Sequence, residues 1–146
     1  MQTRSLMLMA AAMLLGGLFA TMNLFASRWS DVRWSINDVY MIVAMLGAMF
    51  AVQGALSWDA ALALLGAAVF AAALLLIRRQ ALVGWRQFLR NMIPHHSMAV
   101  FLSRQQLQHT PLTLEQQRFL RGIVATQEAE IAWMKAQETA TRPNAS

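Results

Sequence analysis

Residues 39–79 read VYMIVAMLGAMFAVQGALSWDAALALLGAAVFAAALLLIRR, and this stretch decides the fold. One charged residue, Asp59, interrupts the run between Val39 and Ile77, and Arg78-Arg79 closes it. A helix rises about 1.5 Å per residue, so a hydrocarbon core about 30 Å thick takes about 20 apolar residues. Val39–Trp58 and Ala60–Ile77 both meet that length. In lipid the backbone satisfies its hydrogen bonds only by coiling, so each reads as a transmembrane helix. Upstream, Ser5–Ser27 is also free of charge and predicts a third span. Trp29, Trp34 and Trp58 fall in the intervening loops, where an aromatic ring suits the headgroup layer. A cleaved signal peptide is the alternative for the first span. Its apolar run is longer than the usual signal core and two more spans follow, which favours a retained helix.

The rest of the chain agrees with a membrane assignment. Of 146 residues 58% are apolar and 13% charged, with mean hydropathy +0.42 and no cysteine. This composition excludes a disordered chain, a disulfide-stapled domain and a thiolate zinc site. The net charge of +5 lies wholly beyond residue 77. Before that point Arg4, Arg28 and Arg33 balance Asp31, Asp38 and Asp59. If the tail is cytoplasmic, the inner side carries Arg28, Arg33, Arg78, Arg79, Arg86 and Arg90 against Arg4 outside, so the charge rule predicts a cytoplasmic tail.

Small residues recur at helix-packing intervals: Gly16 with Ala20, Ala44 with Ala48, Gly47 with Ala51, Ala67 with Ala71. Met41, Met45 and Met49 form one row on the second span. They read either as adaptable apolar filler or as a thioether ladder for a soft metal ion, and filler is the favoured reading.

The tail predicts two helices. Trp85, Leu89, Met92, His96, Ala99, Val100, Ser103 and Leu107 share one face, with a kink or restart expected at Pro94. After His109-Thr110-Pro111-Leu112, Thr113 with Gln116 forms a capping box. The second face runs Leu120, Ile123, Val124, Gln127, Glu130, Ile131, Met134, and Lys135 suits the helix end. The organisation read is residues 1–79 as a three-span region, 80–141 as a helical hairpin and 142–146 as a disordered end. About sixty residues in two helices cannot bury enough surface alone, so association with a second copy is expected.

The tail faces carry unusual chemistry. Met92, His95 and His96 lie on the first helix, and Gln127, Glu130 and Met134 on the second. Imidazole with thioether suits copper, above all Cu(I); imidazole with carboxylate suits Cu(II) or zinc. Adjacent histidines point about 100° apart on a helix, which argues against both serving one ion. The plainer reading is that the histidines cap a helix start and that Glu130 pairs with Arg118, Arg121 or a histidine. His109 reads as solvated.

Met92-Ile-Pro-His95-His96 with Ala99, followed by Gln127, Glu130-Ile131 and Met134, resembles the bacterial family known as domain of unknown function 305. The likeness covers about residues 85–138, and the front half resembles a membrane-anchored branch of the family. The resemblance implies a ferritin-like helical bundle, here a half-bundle completed by oligomerisation, and copper held by His and Met. Carried over, the candidate ligands are Met92, His95, His96, Glu130 and Met134, with Met98 and Gln127 weaker. Leu102 and Phe101 stand where relatives carry a further methionine. The resemblance also implies a periplasmic tail, against the charge rule.

The chain therefore reads as an all-α protein of a bacterial inner membrane, three spans and a helical hairpin. Its expected role is copper handling with an unknown metal-exchange partner; the alternative is a structural protein whose tail only oligomerises. No Glu-x-x-His pair, nucleophile constellation or phosphate loop points to an enzyme, and no motif points to nucleic acid. The spans hold no ionisable residue from which to build a transport pathway.

Overall fold

The structure, a computed structural model, describes residues 2–19 and 22–141. The expectation of a disordered end at 142–146 lies outside the described residues. Five helices, and no strand among the described residues, follow in order: α1 (Gln2–Phe19), α2 (Ile36–Leu56), α3 (Ala60–Arg79), α4 (Trp85–His109) and α5 (Leu114–Ala140). Three segments are long and apolar enough to cross a membrane: Met7–Phe25, Ile36–Leu56 and Ala60–Arg79. The first charge-free stretch is longer than its helix. Helix α1 is described as far as Phe19, and Met22–Phe25 forms a 3-10 turn.

The chain forms two compact units that are discontinuous in sequence. One contains α1 and Ile36–Val83; the other joins Met22–Ser35 to the chain from Gly84 onward.

In the first unit, α2 and α3 meet backbone to backbone. A methyl placed on Gly66 would come within 2.2 Å of the Ala51 amide nitrogen, one on Gly54 within 2.3 Å of the Ala63 nitrogen, and one on Gly47 within 2.6 Å of the Phe70 nitrogen. Gly47 and Ala51, singled out by spacing, thus stand at the crossing, but Gly54 and Gly66 are equally needed. At one end, Trp58 takes a left-handed conformation (φ 56°) and the Asp59 carboxylate accepts from the Leu62 amide at 3.0 Å. That cap restarts the helix at once. At the other end, Asn37 and Gln80 exchange amide hydrogen bonds at 3.3 and 3.4 Å, and the Tyr40 hydroxyl donates to the Ala81 carbonyl at 2.8 Å. Met41 and Met45 are exposed, facing away from this crossing.

In the second unit, α4 and α5 pack around Leu89, Ile93, Val100, Ile131 and Met134, with Met92 and Val124 against that cluster. Thr113 and Gln116 form the expected capping box, at 2.9 and 3.2 Å. Pro94 does not break α4, which continues from Trp85 to His109. The ring removes one backbone bond, but Ile93, Pro94 and Ser97 are all buried, and their packing holds the turn together. Leu89, Val100 and Ser103 of the expected α4 face are buried, but between them the buried row runs through Ile93 and Ser97 rather than Met92 and His96. The cause is Met22–Ser35, which lies against α4 and covers Ser97.

Candidate functional site

The imidazole of His96 is fixed at both nitrogens. Its Nδ1 lies 2.9 Å from the Met92 carbonyl, one turn back on α4. A carbonyl can only accept, so Nδ1 carries the hydrogen and donates. The other nitrogen, Nε2, lies 3.0 Å from the Glu130 carboxylate of α5. Attraction across that gap requires a proton or another cation between the two atoms. The His96 side chain is mostly buried (15% exposed), whereas that of Glu130 is 48% exposed. Glu130 is therefore not the buried carboxylate that its place among apolar residues implied; it stands at the edge of the helix interface.

The remaining candidates divide. Met92 is half-buried against the core, and Met134 belongs to the core, at 5% exposure. His95 is exposed, as its position beside His96 on a helix demands, while Met98 and Gln127 are half-buried. The structure thus joins His96 to Glu130 and leaves His95 elsewhere. Among the described residues no group of three or more His, Cys, Asp or Glu side chains could hold a metal ion.

A second polar cluster was missed by sequence reasoning. Asp31, at 2% exposure, accepts a hydrogen bond from the Ser97 hydroxyl at 2.6 Å and is paired with the Lys135 ammonium. The Ser97 oxygen in turn accepts from the Ser27 amide at 2.8 Å. Lys135 therefore neutralises a buried carboxylate rather than only facing a helix dipole. Around this centre Arg33 pairs with Glu138 at 2.9 Å, and Arg28 and Arg104 both reach Glu128, at 2.9 and 2.8 Å. Burial alone would raise the pKa of Asp31, but hydrogen bonds from Lys135 and Ser97, with the charges of Lys135 and Arg28, outweigh it and hold the carboxyl below its usual range. A groove of about 330 Å³ runs beside the cluster, lined by Ser30, Arg33, Lys135, Glu138 and Thr139. Its two cations are already matched by Glu138 and Asp31, which makes this a structural cluster. The available signal was local: residues 23–33 concentrate Asn23, Ser27, Arg28, Ser30, Asp31 and Arg33 in a chain with few polar side chains.

The profile of the family described as "Domain of unknown function (DUF305)" matches residues 83–137, a segment that holds every candidate ligand above. An uncharacterized protein of Acanthamoeba polyphaga mimivirus is 31% identical over 109 residues, covering 71% of this chain and 72% of the relative. That alignment is longer than the family segment, so the likeness extends outside α4 and α5. No solved structure gives a significant match.

Proposed function

The chain belongs to the DUF305 family, and from that premise we propose that it is a multi-pass membrane protein whose α4–α5 unit binds copper as cargo, with His96 and Glu130 as the leading donors. The observation that carries this reading is the orientation of His96. A metal-binding imidazole ordinarily donates its other N–H to a carbonyl or carboxylate, which fixes the tautomer and aims the bare nitrogen. His96 does this through the Met92 carbonyl. The separation of 3.0 Å between Nε2 and the carboxylate also suits two donors to one ion, given bonds of about 2.0–2.2 Å.

The thioethers of Met92 and Met134 lie one helical turn from His96 and Glu130 respectively, and would supply the soft ligands that favour Cu(I). Met134 lies in the core and Met92 is half-buried against it, which leaves Glu130 as the outermost donor of this set. The role is binding, and no catalytic step is assigned. Connectivity supports one sidedness for the tail: if α2 and α3 both cross, Met22–Ser35 and the chain from Gly84, which belong to one unit, share a side. The cytoplasm is the side favoured by Arg78 and Arg79.

The test is Cu(I) competition against a colorimetric chelator, using the full chain in detergent. The expected result is one copper per chain, with affinity at least about tenfold weaker in His96→Ala, as loss of a ligand implies, and unchanged in His109→Ala. No stoichiometric binding, or binding indifferent to His96→Ala, overturns the reading.

A structural membrane protein is the second reading, favoured by the place of Met134 in the apolar core. Met134→Leu separates the two. It conserves volume and leaves folding nearly unchanged in either case, but it weakens copper binding only if the sulfur is a ligand.

A further inference from the structure

The last turn of α3 leaves two cations over. Arg78 and Arg79 are both exposed, and neither has a hydrogen bond or ion pair among the described residues. By contrast, Arg28, Arg33, Arg104 and Lys135 each meet a carboxylate. The carbonyls at a helix C-terminus ordinarily attract such cations, but those of Leu76 and Ile77 are already taken. The Gln80 amide donates to both, the Ala81 amide donates to Leu76 at 3.1 Å and the Gln80 side chain donates to Ile77 at 2.7 Å. This closed turn is held to α2 by Asn37 and by the Tyr40 hydroxyl, which donates to the Ala81 carbonyl. Asp38, the acid at this end of α2, is buried and already partnered. No Asp or Glu follows Asp59 until Glu115. Beyond the turn, Leu82 takes a left-handed conformation (φ 58°) and is 82% exposed. A leucine is strained there, and in water its exposed side chain returns nothing for the strain. The other end of the helix pair differs. Trp58 is also left-handed and exposed, but Asp59 stands beside it and no cation does.

We propose that the C-terminal end of α3 is a docking site for an anionic phospholipid, with Arg78 and Arg79 on its phosphate and Leu82 against its acyl chains. Three observations choose this occupant. Helix α3 has 20 residues and so rises about 30 Å, the thickness of the hydrocarbon core, which brings the arginines at its end level with the phosphates. A guanidinium offers a phosphate two parallel N–H donors, and these two arginines have no internal acid competing for them. An exposed leucine beside the cations suits a ligand with an apolar part, since a free anion would leave it in water. The turn is also set before the lipid arrives, which lowers the ordering cost of binding.

This inference rests on the membrane reading of α3 and not on copper. Its test is native mass spectrometry of the full chain in detergent, with a metal chelator present and phosphatidylglycerol or phosphatidylcholine added. The chain is expected to retain phosphatidylglycerol in preference to phosphatidylcholine, and an equal concentration of inorganic phosphate is expected to leave the lipid in place. Arg78→Gln with Arg79→Gln is expected to weaken retention at least about tenfold, as loss of charge-assisted bonds implies, whereas Arg118→Gln, equally exposed on α5, changes nothing. Leu82→Gly removes the strain together with the side chain, so it leaves folding intact or improved. It is nevertheless expected to weaken lipid retention at least about threefold, which a purely structural role for Leu82 would not do. Equal retention of the two lipids, displacement by inorganic phosphate, or retention indifferent to the arginine and leucine variants would each overturn the inference and leave the membrane reading standing. A chain that does not enter lipid nanodiscs would overturn both.

Discussion

Asp31 shows what a single residue contributes here. Its carboxylate is buried, yet it carries a lowered pKa because an ammonium and a hydroxyl both donate to it. A carboxyl whose pKa falls on folding stabilises the folded state above its ordinary value, about 3.9, and that contribution is lost as pH falls through the folded value. The thermal midpoint in detergent is therefore expected to hold between neutrality and about pH 5 and to drop in more acid solution. Asp31→Asn is expected to lower the midpoint at about pH 7 and to flatten the acid limb. A limb as steep as that of the natural protein would show that other carboxylates govern acid unfolding. Removing the side chain altogether, as in Asp31→Ala, leaves Lys135 with only the Ser30 hydroxyl and the buried Ser97 hydroxyl without its acceptor, at a cost of about 1–3 kcal/mol.

At the scale of elements, the α2–α3 crossing depends on the absence of side chains rather than on their fit. The Cβ introduced by Gly66→Ala would strike the backbone of Phe50 and Ala51, which cannot rotate aside. The helices must separate, at a cost of about 1–3 kcal/mol. Gly16→Ala meets nothing within 4 Å and serves as the control. Comparative unfolding in sodium dodecyl sulfate is expected to rank Gly66→Ala below both Gly16→Ala and the natural chain. Elements of this kind were largely legible in the sequence. The apolar spans declare themselves by length, and the start of α5 by Thr113 and Gln116, because both signals are local. Leu89, Val100 and Ser103 of the α4 face were legible, but the burial of Ser97 was not, because its cover, Met22–Ser35, lies about seventy residues away in sequence. Glu130 shares the predicted face yet stands at its exposed edge, because periodicity reports which positions share a face, not where along its edge water begins. Pairing with a histidine stood among its alternatives, and His96 is the partner found.

For the whole molecule, the proposed two-crossing path of α2 and α3 predicts a topology that can be tested. Trp29 and Gln108 belong to one unit, whereas Trp58 sits in the turn between α2 and α3. Single-cysteine variants at these positions, probed in sealed membrane vesicles with a maleimide that cannot cross lipid, are expected to report Trp29→Cys and Gln108→Cys on one side and Trp58→Cys on the other. Labelling of all three from the same side would mean that α2 and α3 do not both cross.

The pairing of Asn37 with Gln80 and of Tyr40 with Ala81 has a kinetic consequence. Lys135 and Asp31 are 104 residues apart in sequence, a closure that is entropically costly for a free chain. Once α2 and α3 have met, residues 37 and 80 are side by side, and the intervening chain no longer counts as loop. The remaining search is that of a short tether. The α2–α3 pair thus acts as an assembly clamp for the second unit, and a variant that weakens it, Gly66→Ala, is expected to slow the refolding step that brings Asp31 to Lys135.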